Sequence, residues 1–186
     1  RAKNTDVSLD TALSRLAMLE DRYDSVLYVP EAQSEPDDIQ LIYHPRVLAQ
    51  LCYLRRKLVP ARTATDEFLV GVVLGAMHGN ERQDGTSSYA SISMPNTFSM
   101  SPEYVRRYVE TNQLQRVERN VFQLLRERCE RLLRSGAPPL TTGVVARADA
   151  KHLGCVEQFA PHRGNVRLIV TSPPYLGVVN YARQNW

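Results

Sequence analysis

Cysteine is scarce and scattered in this chain. Cys52, Cys129 and Cys155 are odd in number and far apart. No CxxC or Cys/His spacing supports a zinc site, and no disulfide framework is suggested. Cys52 and Cys129 fall in apolar helical patterns, so buried free thiols are expected there. That usage fits a reducing cytosol. No apolar run approaches the length of a membrane span and no signal peptide is visible, so a cytoplasmic protein without membrane contact is expected. Strong charge is also missing. The net charge of +3 is too mild to argue nucleic-acid binding from composition. There is no internal repeat.

What is present is ordinary globular material. A length of 186 residues suits one domain or one and a fraction, with 43% hydrophobic and 23% charged residues. The chain begins at Arg1 rather than Met, consistent with an internal piece of a longer protein. Leu9, Leu13, Leu16, Leu19 and Tyr23 recur at helical spacing after Ser8, a plausible N-cap. The stretch from Pro30 to Asp38 reads as a polar, partly acidic loop. A second helix is expected from Pro45 to Val59 and a buried one from Asp66 to Met77, ended by His78-Gly79-Asn80. A polar loop from Glu81 to Ser101 follows. Ser101-Pro102-Glu103 then starts a helix to about Glu110, and a longer one runs from Gln115 to Arg134 until Gly136 and Pro138-Pro139 stop it.

The pattern then changes. Thr142 to Arg147 reads as a short strand ending at Ala148-Asp149-Ala150, and Val166 to Val170 as a second strand, with a short link between them. The expected organisation is a mainly helical block over 1–137 and a slice of α/β core over 138–186. Ligands of a parallel sheet bind beyond the carboxyl ends of its strands, where both Asp149 and the segment Thr171-Ser172-Pro173-Pro174-Tyr175 fall.

Ser172-Pro173-Pro174-Tyr175 resembles the catalytic motif of the amino-group DNA methyltransferases, which methylate cytosine N4 or adenine N6. Val145-Ala146-Arg147-Ala148-Asp149-Ala150 is similar to a preceding family segment that often ends in Gly-Asp-Ala, with Ala148 in place of the usual glycine. Leu176-Gly177-Val178-Val179-Asn180-Tyr181 looks like the family's continuation, and Ser93 to Ser99 like an insertion in one branch. The resemblance implies a Rossmann-like α/β methyltransferase fold, here partial: a large helical insertion followed by two strands of a parallel sheet. It implies S-adenosylmethionine as methyl donor and DNA as partner, with restriction–modification as a family role. Ser in the first motif position favours cytosine N4 over adenine N6.

The chemistry implied follows from the residue types. An exocyclic base amine is a poor nucleophile, because its lone pair is delocalised into the ring. The Ser172 hydroxyl and the Pro173 carbonyl would accept its hydrogens and stabilise the positive charge that develops on nitrogen. Pro173 and Pro174 stiffen the loop, and Tyr175 offers a face on which an extruded base stacks. Asp149 and the adjoining Ala150 would meet the adenine of the cofactor. Arg106, Arg107, Arg119 and Arg126 are candidate phosphate contacts, and Asn96 and Tyr89 could reach DNA from the polar loop.

Plainer readings stand beside these. The motif can be a strand followed by a Pro-Pro turn or a proline-rich ligand segment, and Asp149 an ordinary turn residue. The arginines can be a solvated helix face. His78, His152 and His162 read as surface or cap residues, and Phe98 can equally anchor its loop. The family also needs a glycine-rich Phe-x-Gly-x-Gly turn around the methionine part of the cofactor, and this chain has none. The expectation is therefore an internal piece, or one part of a split enzyme, inactive alone and dependent on an upstream segment with that turn. An RNA or protein amino-methyltransferase, and a non-catalytic helical module that binds nucleic acid or a partner, remain as alternatives.

Overall fold

Side-chain caps set the helix starts. The computed structural model describes residues 7–80, 87–94, 100–134 and 143–171. Ser8, whose hydroxyl accepts from the Thr11 N–H at 3.1 Å, opens α1 (Leu9–Asp21). Asp24 does the same for α2 (Ser25–Gln33), and α3 (Asp37–Ile42) follows with two acids in its first turn. The sequence read Pro30 to Asp38 as a loop because the stretch is polar and contains proline. Pro30 instead sits inside α2, a helix laid against α4 (Pro45–Leu58), with Ala32 buried. Arg55, Arg56 and Lys57 close α4 where its carbonyls carry partial negative charge. Thr63 caps α5 (Ala64–Ala76), Ser101 caps α6 (Pro102–Thr111) and Asn120 caps α7 (Val121–Leu133).

α7 packs against α1, α4 and α5. At the centre Tyr53 lies 5.0 Å from Tyr28 and 6.2 Å from Phe122, ring centre to ring centre, with Tyr23 also in contact. The Tyr53 hydroxyl donates to the Leu19 carbonyl at 2.7 Å, so the polar end of a buried ring is satisfied. Asp66, with 6% of its side chain exposed, accepts from Arg15 Nε at 2.9 Å and ties α5 to α1. The segment 87–94 is not a solvated loop. Ala90, Ile92 and Met94 are buried, and the Ala90 and Ser91 N–H groups donate to the Ala76 and Met77 carbonyls at the end of α5.

The expected Rossmann-like α/β arrangement is not what the structure shows. The described residues are mostly helical and contain no strand, only an isolated parallel bridge between Gly79 and Ser93. The two segments read as strands, 143–147 and 166–170, have no ladder partner among the described residues. The physical reason lies in the link. A parallel pair needs a crossover of a dozen or more residues, usually a helix. Here Gly154, Pro161 and Gly164, the last at φ +77°, break the link into two 3-10 turns, Ala150–Cys155 and Glu157–His162, packed on each other. Val145 and Val170 are each 85% exposed and Ile169 79%.

Candidate functional site

Ser172, Pro173, Pro174, Tyr175 and Asn96 lie outside the described residues. Thr171, immediately before the motif, is exposed at the end of the apolar run. Asp149 caps the first 3-10 turn: its carboxylate accepts from the Lys151 N–H at 2.9 Å and lies 3.6 Å from His152 Nδ1. Asp149 and Ala150 are both exposed. No other element encloses them among the described residues, so the geometry there is that of a local turn.

The arginines differ in what already holds them. Arg106 pairs with Asp38, and Arg126 with Glu20, across the body of the molecule. The Arg126 hydrogen bond holds the Glu20 carboxyl below its ordinary range, against the opposing effect of burial. Arg119 donates to the Ser91 carbonyl at 3.3 Å and Arg116 to the Gln40 carbonyl at 2.9 Å. Arg107 is exposed on α6 with no ion pair among the described residues. These interactions bring no two of Arg106, Arg107, Arg119 and Arg126 onto a common acceptor.

A different arginine is unusual, and the sequence reading passed over it. Arg128 falls on the apolar face of α7, between the buried Leu125 and Cys129 and the half-buried Leu132. Its guanidinium lies 5.0 Å from the centre of the Tyr89 ring. Its Nε is buried with no hydrogen-bond partner, and no carboxylate among the described residues pairs with it. Burial, reinforced by the Arg131 charge, lowers its pKa, with Tyr89 acting in the opposite direction. The available signal was positional: a cation at an apolar-face spacing in an otherwise amphipathic helix.

An apolar cavity of about 350 Å³ opens between α4 and α5. Leu48, Leu51, Leu58, Val70, Val73 and Met77 line much of it, with Glu35, Cys52 and Arg55 among its polar groups. Ligand atoms of Glu31, Glu35 and Cys52 lie within 4.8 Å of one another, a spacing a metal ion could use. Arg55 and Arg56 already neutralise the two carboxylates, Arg56 Nε standing 2.8 Å from Glu31. Burial pushes the Cys52 thiol up to about 11, with Glu35 and Glu31 adding to it, so this sulfur is a protonated, poorly ligating one. Burial likewise raises Cys129 to about 11, whereas Cys155 is exposed.

Among the described residues no helix is long and apolar enough to cross a membrane. No family model, no curated protein and no solved structure matches this chain.

Proposed function

We propose that this chain is part of an enzyme that methylates the exocyclic amine of a DNA base, with cytosine N4 favoured over adenine N6. One observation carries the reading: Ser172-Pro173-Pro174-Tyr175 follows, after Thr171, an apolar run whose side chains stand uncovered in the described structure. A loop of that composition, carried on a segment that needs another surface against it, suits a shared catalytic site. Ser172 Oγ and the Pro173 carbonyl hold the amine hydrogens and draw the nitrogen towards a nucleophilic geometry, while Tyr175 stacks on the extruded base.

S-adenosylmethionine would supply the methyl group. The described residues do not fit it by themselves. Asp149 caps the adjoining turn through the Lys151 N–H, and both it and Ala150 are exposed. We therefore assign donor binding to a separate polypeptide segment bearing a glycine-rich turn, and base holding to this chain. Nucleoside mass spectrometry on DNA from cells carrying the chain in its native setting tests the reading. N4-methylcytosine that disappears with Ser172→Ala is the expected result; methylation undiminished by that change overturns the role of Ser172. Calorimetric titration of S-adenosylmethionine into the isolated chain should show no binding, and micromolar affinity would overturn the division of labour.

A further inference from the structure

We propose that Arg128 and Arg131, with Tyr89 beside them, form a binding site for a phosphoryl oxyanion. A half-buried guanidinium with no carboxylate partner among the described residues is costly to keep, because an ion taken from water needs a compensating charge. Three acids of α5 and α7 are engaged elsewhere among the described residues. Asp66 is bound to Arg15, Glu127 accepts from Gln123, and Glu130 pairs with Arg134. The carbonyls at the end of α5 could soften the charge, but the Ala90 and Ser91 N–H groups already occupy those of Ala76 and Met77. Tyr89 supplies a ring face and its hydroxyl, not a carboxylate.

The surroundings favour an incoming ligand over a sealed core. Gly75 leaves the space for the guanidinium: a methyl group there would stand 2.9 Å from Arg128 Nη1. Arg131 is exposed and lies three residues further along α7, the spacing that puts two side chains on one helix face. Two cations at one place match a phosphoryl group, with its several acceptor oxygens, better than a single carboxylate. The phosphoryl group can come from a DNA backbone or from a small soluble phosphate. The DNA source rests on the reading above; the soluble source does not.

The test uses the whole chain with two probes, inorganic pyrophosphate by calorimetry and a short DNA duplex by fluorescence anisotropy across a salt series. Arg131→Gln and Arg128→Met should each bind pyrophosphate roughly tenfold more weakly, the scale of one charged hydrogen bond. If the backbone is the source, each variant should instead lower the logarithmic salt slope of duplex binding by about 1. Either pattern supports the site and names its source. A wild-type chain that binds neither probe, or variants that bind both as the wild type does, overturns it. Should Arg128→Met fail to fold by circular dichroism, Arg131→Gln decides alone, since that side chain is exposed. Absence of methylated nucleosides would leave the pyrophosphate result standing, so the two readings fail separately.

Discussion

The helices over 9–133 and the segment 143–171 contain similar apolar side chains in opposite circumstances. In the first, Leu16, Tyr53, Leu125 and Phe122 are closed off from water in a core to which α1–α7 and the segment 87–94 all contribute. In the second, Val166, Leu168, Ile169 and Val170 are exposed although four of the five positions 166–170 are apolar. Hydrophobicity sets how much there is to gain from burial, and connectivity decides whether it is gained. Caps and short turns let each helix reach a neighbour. The broken link between the two extended segments keeps them from each other.

Truncating one side of the comparison should give the largest effect. Phe122→Ala removes the ring that closes the aromatic cluster and should cost about 3–5 kcal/mol in urea unfolding, whereas Ile169→Ala should shift stability by less than about 0.5 kcal/mol. Equal losses would mean that Ile169 is buried in solution. Next comes the buried ion pair. Arg15→Met strands Asp66 and should cost about 3 kcal/mol; adding Asp66→Leu should recover part of that loss, and a double variant no better than the single one would argue against pairing.

Acid should act on the helical part alone. Glu20 is held below its ordinary value of 4.5 by Arg126. Glu31 is also lowered, its burial opposing the shift and Arg56 and Arg55 outweighing it. For carboxyls depressed on folding, the stabilisation is present above the unfolded value and is lost as pH falls through the lower folded value. Melting followed by circular dichroism should therefore be flat above about pH 5.5 and decline steadily below about 4.5. Arg126→Gln should flatten that decline. The smallest effect belongs to Gln113, which takes φ 51° just after α6. Gln113→Gly should stabilise by about 0.5–1 kcal/mol, the relief of a left-handed backbone at a helix end; no gain would place the strain elsewhere.

Most helices were legible because their start signals are local. Ser8, Ser101 and Pro45 lie next to what they begin. α2 was not, since Pro30 argues against a helix until α4 is there to pack on it. Val166–Val170 was misread for the converse reason: a β-branched run states a preference and cannot state whether a neighbouring strand exists. The candidate site divides the same way. The Ser-Pro-Pro-Tyr pattern is visible in one line of sequence. The engagement of Arg106 and Arg126 is not, because their acidic partners stand 68 and 106 residues away. That no carboxylate among the described residues pairs with Arg128 is a property of three dimensions only.

Arg167 interrupts the run Val166-Arg167-Leu168-Ile169-Val170 and is itself exposed. An exposed apolar stretch with open backbone groups would, without such a charge, be a template for pairing with copies of itself. One cation in its midst acts as a gatekeeper, since stacking identical strands in register would place like charges against each other. A residue with no ion pair among the described residues thus guards the run against self-association, and Arg167→Val should turn the same five positions into a nucleus for aggregation.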